Sequence, residues 1–271
     1  MGDVVIWTNI FLGVVQGITE LLPISSSGHL VIIHAWLGAS GEDLAFDGML
    51  HFATALAIFA YFYNDIKVLL HATWRVPGAI SQGRSLDESQ SVAVAIGVAT
   101  IPAVVLGIFL EEIMATVFRN PQLVAGTLAA GALLMILAEW RVRINNEKRH
   151  HVVLGWKQGI IVGLFQSLAL IPGMSRSGMT IVGGMFVGLQ RKDAARFGFL
   201  LGIPLLLGAG AKKIIDIGVL SIDMAMFAGA AAAFLVALVV IHYLLEFLRN
   251  NSLYVFIVYR MALAAVILMI F

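Results

Sequence analysis

Long apolar stretches alternate with short polar ones along the whole chain, and their lengths predict helices that cross a lipid bilayer. Six stretches read as full spans, at about 46–63, 92–112, 122–140, 197–211, 224–248 and 253–271. A helix needs roughly 20 apolar residues to cross ~30 Å of hydrocarbon, and 197–211 is the shortest of the six. Two further apolar regions, about 8–37 and 155–190, are each interrupted near the middle by a polar, helix-breaking cluster. The first cluster runs from Pro23 to Gly28 and contains Ser25, Ser26 and Ser27; the second runs from Pro172 to Gly178 and contains Ser175, Arg176 and Ser177. Each flanking half is too short to cross alone, so each region is expected to be a re-entrant helical hairpin. Unwound backbone at that depth survives only where protein or a polar cavity satisfies its amides and carbonyls. The fold class expected is therefore an all-α integral membrane protein with six transmembrane helices and two re-entrant hairpins.

Composition agrees with this pattern and narrows it. Sixty per cent of the 271 residues are hydrophobic and 12 per cent are charged, which a soluble domain of this size could not hold without large exposed apolar patches. No polar stretch is long enough for a separate soluble domain, so one polytopic domain over 1–271 is expected. The first 30 residues lack a basic start and a cleavage site and contain Glu20 and His29, which argues against a signal peptide. There is no cysteine, so disulfides and Cys-ligated metals are excluded. A net charge of +1 gives no support to a nucleic-acid partner.

Lysine and arginine suggest an orientation. If loops 64–91 (Lys67, Arg75, Arg84) and 141–157 (Arg141, Arg143, Lys148, Arg149, Lys157) face the cytoplasm, then Arg191, Lys192, Arg196 and Arg249 follow them inside. Twelve basic residues then lie inside against three outside (Arg119, Lys212, Lys213), with Arg176 and Arg260 inside the membrane. The first hairpin then opens outward, on the side of Glu42 and Asp43, and the two hairpins enter from opposite faces. They also match at an offset of 150 residues: Gly13 with Gly163, Gln16 with Gln166, Ser25 with Ser175, Ser27 with Ser177 and Gly28 with Gly178. An inverted repeat is expected, about 1–140 and 150–271, with a site where the broken helices meet.

The breaks carry the candidate chemistry. Gln16 and Glu20 are four apart and share one helix face. Ser25, Ser26 and Ser27 precede a new helix whose free N–H groups and dipole favour an anion, and His29 sits in its first turn. In the second break Arg176 lies between Ser175 and Ser177, its planar fork suited to phosphate oxygens. Serines capping a helix, and Arg176 paired structurally with Glu20, are the plainer readings; ionisable groups inside a membrane are nonetheless usually functional. One carboxylate, one imidazole, one guanidinium and several hydroxyls make a phosphoryl-transfer set: nucleophile, base and clamp. A single firm carboxylate argues against a two-metal site, while one divalent ion bridging Glu20 and a diphosphate is compatible with it. Asp47, His51, Glu139 and Arg260 lie in or near spans, where they either tune the site or pair within the bundle.

The run from Gly13 to His29, with its Gln16-to-Glu20 spacing and Ser25-Ser26-Ser27-Gly28-His29 ending, and the run from Pro172 to Thr180 closely resemble the two signature motifs of the bacterial undecaprenyl-diphosphatase family, also called bacitracin resistance proteins. The Ile101-Pro102 and Ile203-Pro204 helices look like that family too, and the resemblance covers essentially the whole chain. It implies hydrolysis of undecaprenyl diphosphate to undecaprenyl phosphate and inorganic phosphate in the bacterial cytoplasmic membrane, from a site reached at the outer face. A divalent cation (Mg or Ca) and reduced sensitivity to bacitracin are implied as well, and a homodimer is compatible with it. Glu20, His29 and Arg176 match the family's essential residues. Ser25, Ser26, Ser27, Ser175, Ser177 and Thr180 match its supporting polar set, with the N–H groups of Gly28 and Gly178 extending the cradle. Gln16 stands where the family has Glu or Gln, which weakens any role there that needs a charge.

The expected chemistry has Arg176 and the two helix termini holding the diphosphate while Ser26, helped by His29 and Glu20, attacks the terminal phosphorus. Attack by water or by His29 is the variant. A different class of function is a transporter that flips a polyprenyl phosphate lipid, since inverted repeats and broken helices are common in carriers. Release of phosphate in detergent separates the two. A purely structural scaffold leaves the polar breaks unexplained.

Overall fold

In the computed structural model, which describes residues 2–37, 43–116, 120–144, 154–217 and 223–271, every regular element among the described residues is a helix. They run α1 (Gly2–Thr19), α2 (Ser26–Leu37), α3 (Asp43–Tyr61), α4 (Tyr63–Ser81), α5 (Glu88–Thr116), α6 (Pro121–Ile144), α7 (Trp156–Leu168), α8 (Arg176–Phe186), α9 (Arg191–Ile217), α10 (Met224–Asn250) and α11 (Tyr254–Ile270). The chain is an all-α integral membrane protein. Among the described residues four helices, within α5, α6, α9 and α10, are long and apolar enough to cross a membrane, and they account for the expected spans at 92–112, 122–140, 197–211 and 224–248. Both polar clusters fall between helices, as their Pro, Gly and Ser content requires. Glu42, Arg119, Lys148 and Arg149, used above for orientation, lie outside the described residues.

Three boundaries differ from expectation, each for a physical reason. The span at 46–63 is the first arm of a bent pair: α4 leaves α3 at 81° through Phe62 and occupies much of 64–91, which read as a loop. Its charges, Lys67 and Arg75, share a helix with exposed Val68, Leu70 and Trp74, the mixture of a helix lying along a bilayer surface. The span at 197–211 belongs to a 27-residue helix, because its polar start is neutralised: Arg191 Nε donates to Glu139 Oε1 at 2.7 Å and Arg196 pairs with Asp65. The stretch at 253–271 forms α11, apolar but only 17 residues long.

The helices that precede the breaks are seated alike, by close backbone approach. A Cβ on Gly13 would come 2.1 Å from the Gly229 carbonyl oxygen and one on Gly17 2.7 Å from that of Ala233, so α1 lies directly on α10. Gly159 and Gly163 do the same for α7, each placing a Cβ 2.5 Å from the carbonyls of Ala95 and Ala99 on α5. Small residues at helical spacing are how helices associate where lipid removes the hydrophobic drive. α3 packs on α9 and α6 on α11, so elements from the two parts of the chain interleave.

Arg260 of α11 satisfies the unwound backbone between them. It is fully buried, and its guanidinium donates to the carbonyls of Leu128 (3.2 and 3.1 Å), Pro23 (3.3 Å), Met174 (3.1 Å) and Gly173 (2.9 Å). Those carbonyls come from both breaks and from α6, so one cation closes three segments. Gly131 leaves the space: a Cβ there would sit 2.0 Å from Arg260 Nη2. Each buried carbonyl left without a donor costs ~1–3 kcal/mol. Arg260→Met is therefore expected to lower the melting temperature by about 10 °C or more, or to abolish the folded protein. A melting temperature within a degree or two of wild type would contradict this role.

Candidate active site at the two helix breaks

The two breaks share one local geometry. Ser25 and Ser175 both have positive φ, 74° and 72°, a conformation L-residues adopt only when neighbours hold them there. Their own hydroxyls do so. Ser25 Oγ accepts from Gly28 N at 3.2 Å and lies 3.1 Å from Ser27 Oγ; Ser175 Oγ accepts from Gly178 N at 3.1 Å and lies 3.2 Å from Ser177 Oγ. Each serine thus caps the helix that follows, and Ser26 and Arg176, one residue on, are held at the two helix N-termini. The N–H groups of Gly28 and Gly178, read above as part of a ligand cradle, donate to these caps instead.

The breaks also bond to each other. Ser177 Oγ donates to the Leu22 carbonyl at 3.0 Å, and Gly173 N donates to Ser27 Oγ at 3.3 Å. Gly173 must be glycine, since its φ is +93° and a Cβ would meet Thr127 Oγ1 at 2.0 Å. At the centre Arg176 Nη2 donates to Glu20 Oε1 at 2.7 Å. The carboxylate is buried, and its second oxygen gathers Ser26 Oγ (2.7 Å, donating), Gln16 Nε2 (3.1 Å, donating) and His51 Nε2 (3.3 Å). A hydroxyl donating to a carboxylate is the ground state for moving that hydroxyl's proton to the carboxylate.

His29, expected beside Ser26, is placed elsewhere. Its Nδ1 donates to the Ser25 carbonyl at 2.7 Å, which leaves Nε2 to accept from Tyr259 Oη at 2.6 Å, with the two rings stacked. The imidazole against Glu20 is that of His51, on α3, whose Nδ1 donates to the Asp47 carbonyl at 2.7 Å. Thr180 is also turned inward, donating to the carbonyls of Arg176 (3.0 Å) and Ser177 (3.2 Å) within α8.

A cavity of about 550 Å³ opens on this cluster. Glu20, Ser25, Ser26, Ser27, Ser175 and Arg176 line it, joined by His51, Gln166 and Lys212. The rest of its wall is apolar, from Ala103 to Ile108 on α5 and from Pro204 to Ala209 on α9. The polar lining therefore suits an anion and the apolar lining a hydrocarbon. A divalent cation is a poorer fit to the protein atoms alone. Both oxygens of Glu20 already accept from donors, one of them a guanidinium, and among the described residues no three His, Asp or Glu side chains gather in a metal-holding group.

The family model described as Bacitracin resistance protein BacA matches residues 9–266. Among curated relatives, the undecaprenyl-diphosphatase of Thermobifida fusca is 40% identical over 96% of this chain and 88% of its own. That of Chloroherpeton thalassium is 38% identical over 96% of this chain and 94% of its own, and that of Moorella thermoacetica 38% over 97% and 96%.

Gly202 on α9 has no chemistry of its own, yet it admits the Arg176 side chain: a Cβ there would lie 1.6 Å from Nη1. Gly202→Ala favours the helix intrinsically and only has to displace the end of a long side chain. Its melting temperature is expected to stay within a few degrees of wild type while stabilisation by added inorganic diphosphate falls at least ~10-fold in apparent affinity, the scale of a charge-assisted hydrogen bond. Unchanged diphosphate binding would contradict the placement of Arg176.

Proposed function

The chain belongs to the bacitracin resistance protein BacA family, and on that premise we propose that it hydrolyses undecaprenyl diphosphate to undecaprenyl phosphate and inorganic phosphate. This returns the lipid carrier to peptidoglycan synthesis and lowers sensitivity to bacitracin. The observation that carries the reading is the Ser26–Glu20–Arg176 constellation at the polar end of a cavity whose other wall is hydrocarbon-like. The diphosphate meets Arg176 and the N-termini of α2 and α8, and the isoprenoid tail lies along α5 and α9. Lys212 at the cavity supports access from the side to which the basic-residue pattern assigns Lys212 and Lys213, the outer face of the cytoplasmic membrane. Mg or Ca, if bound, would rely on the substrate more than on Glu20, and would supply only neutralisation of the substrate's charge.

Ser26 Oγ attacks the terminal phosphorus and passes its proton to Glu20 Oε2. The bond from that phosphorus to the bridging oxygen breaks, and the lipid monophosphate leaves with the electron pair. Water then attacks the phosphoserine; its protons depart with inorganic phosphate, and Ser26 recovers its proton from Glu20. Arg176 holds the equatorial oxygens as charge develops on them. His51 shares Glu20 Oε2 with Ser26 and steadies the carboxylate in both protonation states. His29 acts on Ser26 through the backbone, fixing the Ser25 carbonyl on one side and α11 on the other.

Purified protein in detergent is expected to release phosphate from undecaprenyl diphosphate, and Ser26→Ala or Arg176→Ala to lose at least ~100-fold in turnover. Near-normal turnover by either variant would refute the assignment, and translocation without phosphate release would favour a carrier. His29→Asn keeps a donor near the Nδ1 position and is expected to retain roughly 2- to 10-fold more activity than His29→Ala, since one hydrogen bond is worth ~0.5–1.5 kcal/mol. If both are equally inactive, His29 is the base and not a brace.

A further inference from the structure

Gln16 and Gln166 occupy equivalent places, each near the end of the helix that precedes a break, but only one has a partner. The Gln16 amide donates to Glu20, four residues on. Four residues beyond Gln166 stands Leu170, which cannot accept. Among the described residues the Gln166 side chain, buried at 1% exposure, has neither Nε2 nor Oε1 hydrogen-bonded, and it lines the same cavity as Arg176. A buried amide left unpaired is destabilising, and a ligand completing its hydrogen bonds removes that penalty. Arg176 has the same unmet need: Nη2 is engaged by Glu20, whereas Nε and Nη1 are buried and without partners among the described residues. Three unpaired donors from the second break and the helix before it therefore belong to one cavity, and an anion with several acceptor oxygens is the chemistry that satisfies them.

We propose that Gln166 is a substrate-binding residue whose Nε2 donates to a non-bridging oxygen of the diphosphate alongside Arg176, while Oε1 accepts from a water that hydrates the same phosphate. This rests on the phosphatase reading, and it assigns to α7 a direct part in holding the substrate. It also accounts for the asymmetry of the two breaks: Glu20 engages the glutamine of the first to build the base, and Leu170 leaves that of the second free for the ligand.

Gln166→Leu separates this from a structural role, because it removes both unpaired atoms without changing the side-chain volume much. A binding role predicts a melting temperature equal to or above wild type, KM for farnesyl diphosphate raised at least ~10-fold, and kcat within about 3-fold. Gln166→Glu, isosteric but without the donor and with added negative charge, is expected to raise KM further. Weaker binding by both variants should also appear with the non-hydrolysable methylenediphosphonate analogue, measured as loss of thermal stabilisation. Unchanged KM and analogue binding in Gln166→Leu would overturn the proposal, as would a fall in melting temperature with KM unaltered. If wild type releases no phosphate but binds the analogue in a Gln166-dependent way, the contact stands and the phosphatase reading fails.

Discussion

A carboxylate and a guanidinium meet at the centre of an apolar bundle, and this Glu20–Arg176 pair is the constraint from which the rest of the site follows. Removing one partner would leave the other charge buried without its opposite, and breaking a buried pair in this way costs ~3–5 kcal/mol. Because Glu20 sits before one break and Arg176 just after the other, satisfying both charges obliges two segments 156 residues apart to meet. Once they meet, their unwound amides and carbonyls can bond across the junction and to Arg260, which removes the second penalty of non-helical backbone within a membrane.

The same constraint makes the site chemically competent. The pair aims one oxygen of Glu20 at Arg176, so that the other is left to collect a hydroxyl, an amide and an imidazole. Two serines held at positive φ place Ser26 and Arg176 at opposed helix termini, where the polypeptide's own dipoles favour a phosphate. Strain, burial and unpaired donors thus accumulate at one point of an otherwise regular helical bundle. That is where binding energy from a charged ligand can be recovered.

Much of this was legible in the sequence because the signals are local. Pro23, Gly173 and the serines mark where helices cannot continue, and Gln16, Glu20, Ser26 and Arg176 stand within a few residues of those marks. Four of the spans were readable from their apolar length alone. What escaped are features that arise only when distant helices pack. His51 reaches Glu20 from α3, Tyr259 takes up His29 from α11, and Gly202 matters solely through the volume it leaves for Arg176. Arg260 read as a membrane-buried charge of open role because its partners are carbonyls, which every residue has and no pattern distinguishes. The α4 segment reads as a loop in the sequence because charge density signals polarity before it signals periodicity, although its charges and exposed apolar residues fit a helix at a bilayer surface.

The claim that the two breaks converge is tested most directly by a double-mutant cycle on unfolding free energy in detergent, using Glu20→Gln, Arg176→Gln and the two combined. If the pair is buried and in contact, each single variant leaves a lone charge, and the double variant is less destabilised than the sum of the singles by ~2–3 kcal/mol. Additivity within ~0.5 kcal/mol would mean that the two side chains do not meet, and the site built on their contact would not exist.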